Sequence, residues 1–314
     1  MSVQPYLYMN THLSLRTNLL ALGALITLIN YFLPLAYDHQ ITLLFLVLFI
    51  FGIPHGALDF FIDRKSSSKN NPLQLLRFLS RYLVNMLAYA LVWYFLPAVG
   101  FLVFVLLTAY HFGQIDWMGR VSTYMHRVLY FFLGLNWILF LLSMHTKEAI
   151  DVFVLMGNAK WDAAFFYRIS EIVLPVSFIS LWVLHGFLMV FYRDLYVSRR
   201  EFLFSVLQIL FLAVINISLP LWLGFAFYFG VWHSVLSFDM IRRDLKLENN
   251  YNGWWVLIKK ALPYALVAWL GIILFIFFRA DTGDLMDIFH ILFIGIAVLT
   301  LPHLQVFSKL KVAA

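Results

Sequence analysis

The stretch Phe51-Gly-Ile-Pro-His-Gly-Ala-Leu-Asp59 stands near the end of a long apolar run. His55 and Asp59 are four residues apart in it, a spacing that puts both side chains on one face of a continuous helix. The flanking residues suit hydrocarbon rather than water, and an ionisable group at such depth is costly. Such groups are kept where they pair, bind a metal or handle protons. A histidine recurs near the far end of several later apolar segments, which makes His55 one member of a set.

The chain of 314 residues is 63% hydrophobic and 12% charged, with mean hydropathy +0.87. Soluble domains run nearer a quarter charged, so most of this protein must face lipid or other buried helices. The expectation is an all-α fold, a polytopic membrane helix bundle in which residues 1–314 form a single integral membrane domain. Aromatic residues make up 19%, with 33 Phe, which suits interfacial belts or a pocket for a large flat apolar ligand. The absence of cysteine excludes disulfides, thiolate ligands and cysteine nucleophiles. Any metal must then be held by histidine and carboxylate, donors that suit iron, zinc or copper. No Ser-His-Asp triad or phosphate loop is visible, and the basic loops read as topology signals rather than nucleic-acid sites. Met1 to Ser14 lacks the apolar core and cleavage site of a signal peptide.

Hydropathy predicts about ten spans, each able to cross roughly 30 Å of hydrocarbon. They run Thr17–Ala36, Ile41–Ile62, Leu75–Phe95, Ala98–Ile115, Tyr124–Leu142, Ile169–Phe191, Phe202–Ser218, Pro220–Phe238, Ala261–Phe278 and Leu285–Phe307. Two nearly continuous runs are divided at Leu96-Pro-Ala-Val-Gly100 and Ser218-Leu-Pro220, where Pro and Gly favour turns. Ala149 to Tyr167, broken by Asp151, Gly157, Lys160 and Asp162, is expected to be interfacial or re-entrant. Placing the N-terminus and the ends of even-numbered spans on one side puts 18 of the 22 Lys and Arg there. Only Lys147, Lys160, Arg168 and Arg279 fall opposite, so both termini are expected in the cytoplasm and the protein in the cell membrane.

On this count His55, His111, His233 and His303 lie in spans that all run the same way. Each sits about five to seven residues before its helix end, roughly 8–10 Å deep. Four imidazoles at one depth suit a histidine-only metal site. Asp59, Asp116 and Asp239 follow their histidines by four, five and six residues. A negative charge at a helix C-terminus opposes the macrodipole, which makes the three carboxylates candidates to accept a ligand's second ring N–H. The plainer reading is that each aspartate begins a polar loop, and that each histidine is an interhelical hydrogen-bonding residue. Pro54 and Pro302 are expected to kink their helices just before a histidine. His185 falls on the same side as the set. His290 falls on the opposite side, and His12, His39, His126 and His145 read as loop or interface residues.

At Pro54-His-Gly-Ala-Leu-Asp59, Tyr110-His-Phe-Gly113, Trp232-His-Ser234 and Pro302-His303 the sequence resembles the Brp/Blh family. These are microbial membrane β-carotene 15,15′-dioxygenases, which supply retinal to rhodopsins. The likeness covers nearly the whole chain, with the motifs in the family's order. It implies Fe(II) held by histidines, with His55, His111 and His233 as ligands and catalytic residues and His303 as a further candidate. It also implies that O2 cleaves the central double bond of β-carotene, or a related carotenoid taken from membrane lipid, to give retinal. A functional link to a retinal-binding rhodopsin follows. Phe51, Tyr110, Phe112, Phe229 and Trp232 flank the histidines and are candidate walls of an apolar substrate tunnel.

One position departs from the family. Relatives carry a further histidine four residues after the one matching His233, and here that residue is Ser237. Either three histidines suffice, with water or His303 completing the shell, or activity is altered or lost. The latter leaves a carotenoid- or retinal-binding membrane protein on the same scaffold. A transporter with a histidine proton relay is a third reading, but the chain lacks the paired inverted halves of such proteins. A polyene spanning the bilayer would have its centre at the midplane, whereas the histidines lie nearer one face. The substrate is therefore expected to tilt or to enter along the membrane plane.

Overall fold

In hydrocarbon each backbone N–H and C=O must be satisfied within the protein, which helices achieve segment by segment. The computed structural model describes residues 4–65, 73–117, 124–156, 161–191, 199–279 and 285–310, and among them there is no strand. Helix α1 covers Gln4–Phe32. The second span is composite: α2 (Tyr37–Val47), a π-helical segment (Leu48–Gly52), α3 (Ile53–Gly56), a turn, and α4 (Asp59–Lys65). Then come α5 (Gln74–Phe95), α6 (Pro97–Trp117), α7 (Tyr124–Met144), α8 (Thr146–Met156), α9 (Ala163–Phe191) and α10 (Arg199–Ser218). The next span is again composite, with α11 (Leu221–Phe225), a second π-helical segment (Ala226–His233) and α12 (Ser234–Asp244). Helices α13 (Tyr251–Arg279) and α14 (Leu285–Phe307) complete the bundle.

Both divisions expected at Pro and Gly occur. Leu96 leaves helical geometry and Pro97 opens α6, while Pro220 caps α11 just after α10 ends; proline suits a helix start because its missing N–H has no partner to lose there. The expected interfacial stretch holds α8, which at 11 residues is too short to cross and carries an exposed Lys147–Asp151 pair. Asp162 accepts from the Ala164 N–H at 2.9 Å and so starts α9. Gly157 and Lys160 lie outside the described residues.

Among the described residues, nine of the ten expected spans are helices long and apolar enough to cross a membrane. The tenth, α10, has an apolar part of Phe202–Ser218, at the lower limit of about 17 residues. Two layers of contact show that α10 still traverses the bundle. Phe104 and Phe225 line one cavity, while His111 and His233, some two turns further along the same helices, meet with ring centroids 4.8 Å apart. The two spans therefore run parallel, which takes an odd number of traverses between them. Helices α7, α9 and α10 supply three.

The bundle has a centre and a rim. In the span Leu221–Asp244, 78% of the most apolar window is buried, against 12% in Tyr251–Phe278. The former is the pillar around which Leu58, Phe112, Trp137 and Phe307 pack. Helix α13 turns Val267, Leu270, Phe277 and Phe278 outward, as a lipid-facing helix does. Glycines bring α6 and α7 into backbone contact: a Cβ at Gly113 would lie 1.8 Å from the Tyr130 carbonyl oxygen, and one at Gly134 would lie 1.8 Å from that of Ala109. Small residues permit such approach between membrane helices.

Pro54 lies just after the first π segment. In an i to i+5 ladder the missing N–H of Pro54 would have served the Phe49 carbonyl. Trp269 Nε1 donates to that carbonyl instead, at 3.0 Å. In the second π segment the Ser234 hydroxyl donates to the Phe229 carbonyl at 3.1 Å. π turns inside helices are frequent at functional sites, and these two lead directly to His55 and His233. Helix α14 continues through Pro302.

Candidate metal centre

Four helical segments each bring one buried histidine to a common level: His55 on α3, His111 on α6, His233 ending the second π segment and His303 on α14. One ring nitrogen from each of His55, His111 and His233 lies within 4.8 Å of the other two. No other such group of metal-binding side chains forms among the described residues. The His303 ring packs beside them, its centroid 5.1 Å from that of His55 and 5.0 Å from that of His111.

Hydrogen bonding tests whether this donor set fits a metal. Both ring nitrogens of His111, Nε2 of His233 and Nε2 of His303 are buried without a hydrogen-bond partner. Buried polar atoms are almost always paired, and each unpaired one costs on the order of 1–3 kcal/mol. Four of them within one histidine cluster suit a divalent cation that takes imidazole lone pairs. The residues present fit the group.

The carboxylates are placed differently from the expectation. Asp59 does not face His55 along one helix, because α3 stops at Gly56, the chain turns through Ala57 and Leu58, and α4 begins at Asp59. The carboxylate thus sits in a first helical turn, where the macrodipole favours it. It accepts from Nδ1 of His303, 2.8 and 3.0 Å from its two oxygens, and from the Tyr82 hydroxyl at 2.9 Å. With the proton on Nδ1, the lone pair of His303 is on Nε2, the nitrogen that has no partner.

Among the described residues, Asp116 and Asp239 take partners that are not histidines. Asp116 accepts from the Tyr228 hydroxyl and from Trp232 Nε1, both at 2.8 Å, tying α6 to the second π segment one residue before His233. Arg16 of α1 completes that network. Its guanidinium lies 5.6 Å over the Trp232 ring and donates to Gln208 Oε1 at 2.8 Å and the Ile115 carbonyl at 3.1 Å. Asp239 pairs with Arg242 at 2.7 Å and with Arg243, within α12. Spacing along a helix sets how far a side chain is offset along the axis, not which neighbouring helix it meets.

Two of the expected wall residues flank the site. The Phe112 ring lies 4.7 Å from that of His233, and Phe229 stacks on the same imidazole at 5.6 Å and 14°. Trp232 is fully buried with its N–H committed to Asp116. Tyr110 and Phe51 are half-buried, and the Phe51 carbonyl lies 3.4 Å from His55 Nδ1. Ser237 is buried, and its hydroxyl donates to the His233 carbonyl at 2.8 Å, so it is satisfied within its own helix. Of the remaining histidines, His145 Nε2–H donates to the Asn216 carbonyl at 3.0 Å, His39 is exposed, and His290 sits near the opposite end of α14. The side chains of His12, His126 and His185 lie outside the described residues.

A family model described as beta-carotene 15,15'-dioxygenase matches residues 46–311, which takes in all four clustered histidines. The chain belongs to this family. A beta-carotene 15,15'-dioxygenase from uncultured marine bacterium 66A03 is 28% identical over 269 residues, covering 82% of this chain and 89% of that protein. No solved structure matches. Within this β-carotene 15,15′-dioxygenase family member, the residue the sequence reading missed is Tyr82. Its hydroxyl fills the second side of Asp59, and nothing in its local sequence marks it.

The Asp59 contact makes a prediction. Asp59→Asn keeps size but loses the charge that holds the Nδ1 proton of His303. Partners of this kind are worth about 10–100-fold in metal affinity, and a loss of that order is expected in chelator competition with purified protein. Unchanged affinity in a folded variant would detach Asp59 from the centre.

Proposed function

We propose that this protein cleaves β-carotene, or a closely related carotenoid, at its central double bond with O2 to give two molecules of retinal. In that reaction the carbon–carbon double bond breaks and each of its carbons takes one oxygen atom. Both atoms of one O2 are consumed, and no further oxidant or reductant is needed. The observation that carries the reading is the convergence of His55, His111 and His233 inside an apolar bundle of this family, with unpartnered buried nitrogens on His111, His233 and the neighbouring His303.

His55, His111 and His233 would hold the metal, with His303 Nε2 as the fourth donor in a chain that has Ser237 where relatives have histidine. Fe(II) bound there would supply the redox-active centre for dioxygen. The protein does the rest. Asp59, backed by Tyr82, holds the proton on His303 Nδ1 and so keeps Nε2 available. Phe112 and Phe229 orient the His233 ring and exclude water from its face. The Asp116–Trp232–Tyr228 network fixes the π segment that carries His233. The carotenoid reaches the site from the bilayer and the retinal would serve a retinal-binding rhodopsin. The asymmetry of Lys and Arg supports a cell-membrane protein with both termini in the cytoplasm.

A second reading, a non-catalytic carotenoid- or retinal-binding protein, is favoured by one observation: the Ser237 hydroxyl is spent on a backbone carbonyl. Expression in a bacterium that accumulates β-carotene separates the two. Loss of orange colour with stoichiometric retinal is the expected result. Unchanged carotene in cells holding folded, iron-loaded protein would overturn the enzymatic reading.

A further inference from the structure

Basic side chains at the end of the bundle where α4 stops and α13 starts fall into two kinds. Some are neutralised: Asp63 takes Arg81 at 2.9 Å and Lys309 at 2.5 Å, and Asp239 takes Arg242 and Arg243. Arg64, Lys259 and Lys260 are of the other kind, with no carboxylate partner among the described residues. Aromatic rings gather these three. Lys260 Nζ lies 4.7 Å over the ring of Phe61, which stands on α4 three residues before Arg64. Phe61 packs edge-on against Tyr264 of α13 at 5.7 Å, and the Arg64 charge acts on the Tyr264 hydroxyl. Lys259 Nζ is held 5.3 Å over the Trp255 ring. Arg64 and Lys260 thus border one seam between α4 and α13, with Lys259 beside it.

Trp269 meets Phe49 and Lys260 meets Phe61, so α13 runs antiparallel to the second span along this seam. Lys259 and Lys260 come eight and nine residues after Tyr251, which opens α13, about 12–14 Å along the axis. They stand well inside a helix whose outward residues Leu262, Leu266 and Val267 are exposed. Counted in threes and fours from Lys259, Leu262 and Leu266 continue one helix face. A cation therefore heads an apolar stripe that faces lipid. Topology asks for basic residues in the loops near helix ends. It does not ask for two within a helix, each held over a ring, beside a third from another helix. Three like charges without a counter-charge repel one another, and more so in surroundings less polar than water.

We propose that the seam between α4 and α13 seats an anionic phospholipid, its phosphate among Arg64, Lys259 and Lys260 and one acyl chain along Leu262 and Leu266. Basic pockets between membrane helices are the usual receptors for such headgroups. The guanidinium of Arg64 offers a planar fork to the phosphate oxygens, and the two ammonium groups act as point charges. A zwitterionic lipid would bring its own ammonium group among three cations, so the seat favours a headgroup of net negative charge. A soluble anion would leave the leucine stripe below the cations unused. Helix α4 begins at Asp59, five residues before Arg64. A lipid that bridges Arg64 to α13 therefore steadies the helix whose carboxylate meets His303. The seat does not depend on the carotenoid reading above.

The test uses full-length protein in a neutral detergent, with phosphatidylglycerol and phosphatidylcholine of equal chain length as probes and native mass spectrometry to count bound lipid. Phosphatidylglycerol is expected to bind at least tenfold more tightly than phosphatidylcholine. Arg64→Gln, Lys259→Gln and Lys260→Gln combined should bring the two lipids within twofold of each other. Lys259→Gln alone, at an exposed position, should cost about fivefold, the effect of one basic residue near a charged surface. That single variant decides the matter if the triple variant is not monodisperse. Arg77→Gln, an exposed cation near the start of α5 at the same end, should keep the parent's preference. Equal binding of the two lipids by the parent would overturn the proposal, as would a preference that survives in the folded triple variant or in Lys259→Gln. So would an equal loss in Arg77→Gln, which would reduce the effect to the diffuse charge of this end. Millimolar inorganic phosphate at constant ionic strength should leave phosphatidylglycerol bound. Its displacement would assign the three cations to a soluble anion and remove the lipid from the seam.

Discussion

Replacement of His111 by alanine is expected to leave a folded protein that binds no metal and forms no retinal. Both nitrogens of this ring are buried and unpartnered, and its centroid is within 5.0 Å of those of His233 and His303. Loss of a partner to a ligand costs about 10–100-fold in metal affinity, and loss of a ligand itself should exceed that, so metal content should fall to background. His55→Ala and His233→Ala should behave alike. His303→Ala should retain part of the metal, because its ring stands beside the tight triplet rather than within it. Metal per protein and retinal by chromatography are the measurements. A second readout separates a metal role from a packing role. Removing a ring whose nitrogens are unsatisfied relieves a penalty in the metal-free state, so metal-free His111→Ala protein should melt no lower than metal-free parent protein. A large drop in melting temperature together with retained metal would sink the assignment.

Gly113→Ala should abolish the fold rather than the chemistry. The added methyl would lie 1.8 Å from the Tyr130 carbonyl oxygen and 2.6 Å from its carbon, both backbone atoms. A flexible side chain can step aside, whereas here α7 as a whole must move away from α6. Overpacking of a core costs about 1–3 kcal/mol when side chains absorb it, and a backbone clash belongs at or above the top of that range. The yield of monodisperse protein by size-exclusion chromatography should fall severalfold. Gly56→Ala supplies the contrast: its methyl would lie 3.7 Å from His303 Nδ1, an ordinary contact, and parent-like yield is expected. Equal yields from the two variants would mean that α6 and α7 are not held at this distance.

These two results bear on different layers of what the sequence reveals. The helices were legible because about twenty apolar residues in a row leave a chain in lipid few other structures, and Pro97 and Pro220 marked the breaks. The level of the histidines was legible too, since counting traverses gives direction and counting residues gives depth. Azimuth was not. Asp59 lies four residues from His55, yet its partner is His303, 244 positions away, because a turn at Ala57–Leu58 restarts the helix between them. Asp116 and Asp239 looked equivalent to Asp59 by spacing, and one holds a tryptophan and a tyrosine while the other holds two arginines. The π segments escaped for a related reason. Each adds one residue to a turn without changing the composition, so hydropathy passes through them unaltered while every later side chain is rotated. The stacking of Phe229 on His233 depends on that rotation and emerges only in three dimensions.

The first helix gives this chain a different boundary from the one its family-matched region suggests. The match begins at residue 46, yet Arg16 reaches across to Gln208, the Ile115 carbonyl and the face of Trp232. It is also a cation facing Asp116. Residues 46–311 are therefore not a portable unit. Transplanted onto a foreign leader, they would carry a carboxylate and an amide into the interior with no guanidinium to meet them, next to the helix that presents His233.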